Sequence, residues 1–482
     1  MLALAAGPAL RAARAAEPAP ATPPGELVET NHYVRTLGTR PIAVVKERRY
    51  VEGTGKARLV HTVTETRQRL VVSGHSKVNL STKKTVTLAD GQAVSYKESS
   101  YDNRSPREIT VTVTPDGGGA NVVEFVTSLP GSSEKRTAKV AGPVYFDLDG
   151  RALKAAGQLR PGGSMTASVA AVPQAGIARL TAKVIGKSSR AGRDSFVIEV
   201  ANVGGRGVAW EIICDGEGRT LELEVGGLVT RKVPEAEAKL PVVAARISNA
   251  LPTRPLKRRP LRLRRMTLMV AVDRDLPRGT IPAAPGQEVA RARDGRYVVV
   301  LTERRPDGRL AALRLTAAER ARFTASTAHI PAEHPALKAA AERVAGAEPE
   351  PMIVADRLVR YVSRRLANSS RGASSATALE AFRKRSGDCT EHSALLVALA
   401  RSRGIPARRV SGLVHAGRSF IFHQWAEVYI DDRWVPCDPS KGLLGLPACY
   451  LRLGTGSPDD ADYRSRSLVL MTSGRIEVLE AK

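Results

Sequence analysis

A change of hydrophobic period divides this chain more sharply than any other feature. From Leu27 to about Leu240 apolar residues recur mostly at every second position; from Pro335 they recur at every third and fourth. The first spacing is that of a half-buried strand and the second that of an amphipathic helix. A long β-rich part must therefore precede a part that contains helices. Glu108 to Thr114 alternates cleanly, Pro115-Asp116-Gly117-Gly118-Gly119 turns the chain, and Asn121 to Thr127 returns, which predicts a hairpin. Asp90-Gly91 marks a second turn, between Thr85–Leu88 and Ala93–Tyr96, and 215–218 a third, between 208–214 and 220–225. Two related antiparallel units are expected, split near Arg160-Pro161-Gly162-Gly163, without a strict repeat.

Between Leu251 and Pro331 a smaller β section is predicted, with strands at 262–272 and 297–301. In the helical part, Ala336 to Val344 is Ala-rich, and Ile353, Leu358, Tyr361, Val362 and Leu366 share one helix face. Thr377 and Glu380 form a capping box for a short helix ending near Arg385. The 482 residues exceed what one core supports. The expectation is a multidomain α+β chain: 1–26 a signal-like segment and Pro/Ala-rich linker, 27–245 a β-rich region, 250–332 the smaller section, 335–455 a catalytic domain, and 456–482 a tail that could add a strand.

Composition narrows the partners. The net charge of +26 predicts attraction to an anionic surface or polymer. Its densest run is 254–265, which reads as a solvated strand entry. No nucleic-acid motif accompanies it and no aromatics interleave it, so specific nucleic-acid binding is not expected. No apolar run is long enough to span a bilayer. The small apolar start, with Ala13-Arg14-Ala15 as a cleavage site, predicts export to the periplasm or cell envelope; the rival reading is an Ala-rich start with no signal function. The four cysteines, Cys214, Cys389, Cys437 and Cys449, form no Cys-x-x-Cys pair, which argues against zinc; no metal or other cofactor is expected. A Cys437–Cys449 bridge and two free thiols are both open.

Three segments carry chemistry: Gly387-Asp388-Cys389-Thr390-Glu391-His392, His423-Gln424-Trp425-Ala426-Glu427-Val428 and Trp434-Val435-Pro436-Cys437-Asp438-Pro439-Ser440. Asp388 caps a helix whose 393–400 stretch is apolar almost all round, so the helix should be central, and Gly404 stops it. Cys389 then falls at the first helical position, where unpaired N–H groups and the positive helix end stabilise a thiolate or an oxyanion. A two-residue turn at Asp431-Asp432 pairs Ile430 with Arg433 and sets Asp438 opposite Trp425, diagonal to His423. Cys389 as nucleophile, His423 as base and Asp438 as the group that orients the imidazole make a thiol acyl-transfer site.

These segments, with Arg403-Gly404-Ile405-Pro406-Ala407-Arg408, resemble the bacterial transglutaminase-like domain, which is related to papain-type thiol proteases. The resemblance covers about Pro351 to Leu453. It implies that Cys389, His423 and Asp438 are the catalytic triad, with the cysteine on a central helix packed against the antiparallel sheet that carries the other two. Such domains act as peptidases, amidases or cross-linkers on protein or peptide substrates, and some are inactive. Asp438-Pro439-Ser440 departs from the Asp-Pro-Thr common there.

Ser374, Ser375, Gln424 and Trp425 are candidates for oxyanion or substrate contacts, and Trp425 is equally a core residue. His392 is expected to be a satisfied core histidine, Trp434 and Cys437 structural, and His415 a loop residue without chemistry. The rivals to a thioester-forming enzyme are an inactive envelope or assembly scaffold that keeps the fold and a basic polyanion-binding protein.

Overall fold

The computed structural model describes residues 22–482 apart from 38–39, 73–74, 103–104, 130–131, 173–175, 189–194, 204–209, 226–227, 240–244, 248–249, 273–280, 307–311, 328, 370–376, 457–466, 468–469 and 472–473. The start of the signal-like segment and the pair Ser374 and Ser375 lie outside the described residues.

The expected hairpins form. Ser105–Pro115 pairs with Ala120–Leu129, and Ile109, Val111, Val123 and Phe125 are buried on one face. Asp116 builds the turn by accepting from Gly118 N–H at 2.9 Å and Ala120 N–H at 3.0 Å, while Gly117 and Gly119 take positive φ. One such hairpin follows another. Antiparallel strands run in sequence order from Glu26–Leu37 to Ser132–Ala141, and a second run goes from Ser164–Ala171 to Leu228–Val233. Leu228–Val233 then pairs with Glu26–Leu37, so both runs make a single 16-stranded sheet, including those on either side of 160–163. The two ends of its strand path, Ser132–Ala141 and Val144–Tyr145, are neighbours in sequence, and the sheet curls into a nearly closed barrel. Helix α1 (Gly150–Ala155), capped by Asp149, buries Ala152 and Leu153 against Val169, Ala182, Ile198 and Ile212.

The α+β class expected for the chain is wrong. The protein is mostly β, with 54% strand and 19% helix. The reason is physical: the period-two region closes into one long-stranded sheet that outweighs the helical segment, whose longer helices fall between 317 and 402 among the described residues.

The C-terminal part is layered. Helices α2 (Ala317–Thr324), α3 (Pro335–Ala345), α4 (Pro351–Arg365), α5 (Ala378–Lys384) and α6 (Cys389–Ser402) lie on the helical side, with α6 at the centre. A 6-stranded sheet orders Leu443–Leu444, Arg433–Asp438, Ser419–Ile430, Ala407–Ala416 and Tyr450–Gly456, and Ala250–Pro252 pairs with the start of Ser419–Ile430. Ala426, Val428, Ile430 and Val435 pack against the helices. Val410, Trp425, Tyr450 and Leu453 pack against a 4-stranded sheet of Gln287–Arg291, Tyr297–Thr302, Arg265–Val272 and Gly474–Ala481. Thr390 to Ala400 is buried throughout α6, and each of Leu395, Leu396 and Leu399 contributes about 1.5–3 kcal/mol by leaving water. Gly404, at φ 73°, ends the helix by turning its N–H back onto the Arg401 carbonyl.

Candidate active site

The start of α6 is fixed by reciprocal hydrogen bonds. Asp388 Oδ1 accepts from Thr390 N–H at 2.7 Å, and Glu391 Oε2 accepts from Asp388 N–H at 2.8 Å. Cys389 is thereby held at the first helical position, where backbone N–H groups lack helical partners. It is half-buried, while Cys214, Cys437 and Cys449 are buried, and all four are free thiols with no Cys437–Cys449 bridge. Burial pushes the Cys214 and Cys449 thiols up to about 12 and Cys437 well above its ordinary value, so these three are held protonated.

The second half of the site is set by a turn. Asp431 and Asp432 both take positive φ, at 50° and 55°, the conformation of a two-residue hairpin loop. Pairing runs from Ile430↔Arg433 to Ala426↔Cys437, which carries Asp438 to the place opposite Trp425, as the sequence predicts. Asp438 and His423 then share a face, and His423 Nε2 lies 2.7 Å from Asp438 Oδ2. Asp438 is fully buried yet has many donors. Tyr450 Oη donates to Oδ2 at 2.7 Å and Lys441 Nζ at 3.1 Å, while Ser440 N–H and Oγ donate to Oδ1 at 3.0 and 2.6 Å. Burial alone would push this carboxyl up. The His423, Lys441 and Ser440 contacts outweigh it and hold Asp438 well below the usual carboxylate range.

Burial likewise opposes a charge on His423. The Asp438 carboxylate and the nearby Cys389 sulfur overcome it and push the imidazole up to about 9. Cys389 lies close enough for a side-chain hydrogen bond to the ring. The structure thus brings Cys389, His423 and Asp438 together from α6 and two adjacent strands.

The Trp425 ring is stacked on the His423 ring, with centroids 6.3 Å apart and planes at 25°, and Tyr450 meets the indole edge-on at 5.4 Å. Trp425 is fully buried, so it packs the core and backs the imidazole at once. Gly412 is the strand partner of His423; a Cβ there would come 2.6 Å from Trp425 Cη2 and 2.1 Å from the Leu451 carbonyl oxygen. Only hydrogen fits.

Other candidates are placed elsewhere. Gln424 is buried and its Oε1 accepts from Arg409 Nη2 at 2.6 Å; strand alternation puts it on the face opposite His423. His392 is fully buried, with Nδ1 2.8 Å from the Asp388 carbonyl oxygen and Nε2 3.3 Å from that of Leu366, so it ties the helix start to the end of α4. His415 is not in a loop but buried in Ala407–Ala416, with Nε2 2.9 Å from Thr253 Oγ1. Glu391 is buried beside Asp388, and burial first and that neighbouring charge second push its carboxyl up to about 8. Tyr450 and Lys441 escaped the sequence reading. Lys441 is close in sequence to Asp438, a usable signal, but Tyr450 comes from a strand on the far side of the sheet and carries none. Among the described residues no group of three or more His, Cys, Asp or Glu could hold a metal ion.

Comparison with known proteins agrees on the C-terminal part. Residues 338–439 match the transglutaminase-like superfamily. No curated protein matches the chain. Three solved structures are similar to it: a candidate cysteine protease from Cytophaga hutchinsonii at 16% identity and TM-score 0.29, covering 44% of this chain and 82% of that one; a β-barrel-like protein of a domain of unknown function from Brucella abortus at 12% and 0.33, covering 43% and 95%; and a candidate protease from Parabacteroides distasonis at 11% and 0.20, covering 77% and 65%. TM-scores this low give these likenesses no weight in the argument. The segment that holds Cys389, His423 and Asp438 is a domain of the transglutaminase-like superfamily.

Proposed function

We propose that the protein is a thiol-dependent acyl-transfer enzyme acting on amide bonds of a protein or peptide, with Cys389, His423 and Asp438 as its catalytic residues. The observation that carries this reading is the buried His423–Asp438 pair at 2.7 Å with the half-buried Cys389 against the same imidazole. With Nε2 turned to Asp438, Nδ1 is the nitrogen left for the thiol. It takes the Cys389 proton as Sγ attacks the carbonyl carbon. The oxyanion that forms faces N–H groups at the start of α6. Collapse of this intermediate breaks the C–N bond, and the imidazolium gives its proton to the leaving amine. A thioester remains on Cys389. Water, deprotonated by His423, attacks the thioester; the acid leaves and the thiol is restored. A primary amine in place of water would make a new amide. Hydrolysis is the default, because water is the acceptor wherever a site does not exclude it.

The test is alkylation with limiting iodoacetamide near neutral pH, with adducts mapped by mass. Preferential labelling of Cys389, lost in His423→Ala, is expected. Slow, even labelling of all four thiols would leave a folded scaffold and end the enzymatic reading.

A further inference from the structure

The charge run 254–265 has a definite place in the fold. Seven of its twelve residues are cationic: Arg254, Lys257, Arg258, Arg259, Arg262, Arg264 and Arg265. All seven are exposed, and no acidic residue occurs between Glu237 and Asp273. Among the described residues none of the seven is in an ion pair, although Arg265 is felt by Glu480. Like charges crowded this way repel one another and cost stability unless something anionic offsets them.

The segment is also held in place. Its entry is the strand Ala250–Pro252, which pairs with Ser419–Ile421 two residues short of His423, and Thr253 N–H donates to the Arg418 carbonyl at 2.8 Å. At its exit Leu263 is fully buried, Arg264 N–H donates to the Lys482 carbonyl at 2.7 Å, and the Arg264 carbonyl accepts from Glu303 N–H at 2.8 Å. The run is thus a fixed strap between the 6-stranded and 4-stranded sheets. Apolar side chains stand among the cations. Leu261 is 50% exposed, and Leu479, whose carbonyl takes a hydrogen bond from Arg254, is 42% exposed.

We propose that this strap docks the protein on an anionic lipid bilayer. Fixed cations meet the headgroup phosphates, and exposed leucines reach the acyl boundary; that mixture suits an interface better than a soluble polyanion, which offers nothing to leucine. No aromatic side chain lies in the strap for stacking nucleic-acid bases. Because the strap's entry strand, Ala250–Pro252, pairs with the strand that carries His423, docking holds the Cys389 cleft near the membrane surface.

The experiment is co-sedimentation of the full chain with vesicles of phosphatidylcholine alone or mixed with phosphatidylglycerol, at low and high salt. Binding only to the mixed vesicles, weakening with salt, is expected. Arg258→Glu/Arg259→Glu/Arg262→Glu should weaken it by roughly a hundredfold, from about fivefold per lost cation. The control Arg160→Glu/Arg179→Glu/Lys183→Glu changes charge equally at exposed barrel positions and should weaken it far less. Equal loss in both variants would assign binding to overall charge and overturn the proposal. Leu261→Ser, which alters no charge, should weaken vesicle binding severalfold and leave retention by inorganic polyphosphate unchanged. If Leu261→Ser has no effect on vesicles while polyphosphate binding depends on the strap, the ligand is a soluble polyanion and the lipid assignment fails. Circular dichroism and Cys389 alkylation, unchanged in each variant, show that the fold is kept.

Discussion

The barrel and the transglutaminase-like domain use strands for opposite ends. In the barrel, strands of 10–14 residues are common, much of their surface is half-buried, and ion pairs such as Lys97–Glu108 and Lys135–Glu124 decorate the outside. In the 6-stranded sheet, Ala407–Ala416 and Arg433–Asp438 are buried along almost their whole length, and polar groups are sealed inside: Asp438 with five donors, Glu427 with Arg408 at 2.8 Å. Exposed pairs are worth little because water competes for each charge. Sealed ones move protonation equilibria, which is what an acid–base site needs. Among the cysteines the contrast runs by position rather than by region: Cys214 in the barrel is buried, as are Cys437 and Cys449 in the C-terminal part, and Cys389 is half-buried.

Cysteine replacement puts the largest load on that contrast. Cys389→Ser should cut amide hydrolysis about 10³-fold or more, and Cys214→Ser should stay within about twofold; initial rates check both, and a large loss from Cys214→Ser would break the division. Asp438→Asn should cost about 10²–10⁴-fold. It should also move the falling limb of the pH–rate profile from about 9 down toward the ordinary histidine value near 6.5, because the imidazolium loses its anion. The same raised value makes stability fully present below about 6.5 and lost as pH rises through about 9, a loss that denaturant melts of Asp438→Asn should not show. Trp425→Ala, in the fully buried layer, should cost about 3–5 kcal/mol in urea melts, against about 1 kcal/mol for Val113→Ala in the half-buried barrel wall.

Smaller effects sharpen the picture. Lys441→Met removes a cation 3.4 Å from His423 Nε2, so the falling limb should move upward while the rate changes only severalfold. Glu391→Gln should gain thermal stability over the wild type as pH rises from about 4.5 toward 8. In that window the unfolded carboxyl ionises and the buried one resists, so the wild type alone loses stability.

Local chemistry was legible in the sequence. The Asp388 cap and the Asp431-Asp432 turn each depend on residues within a few positions, and together they set helix start and strand register. Long-range pairings left no such trace. Glu26–Leu37 meets Leu228–Val233 only because the sheet curls round, and no periodicity encodes which edges join. Two strand runs that read as separate units therefore share a single sheet, whereas the fold class was misjudged because the strands outweigh the helical segment. Tyr450 was invisible likewise: its hydroxyl reaches Asp438 from two strands beyond His423.

Gly412 has a consequence for how this site can vary. A Cβ at 412 would meet both the Trp425 indole and the Leu451 carbonyl oxygen, and the backbone clash is the closer, so shrinking residue 425 would not by itself make room there. A lineage exploring bulkier residues at 412 would have to part the strands Ala407–Ala416 and Tyr450–Gly456 as well as give up the aromatic backing of His423, so no single change elsewhere opens that position.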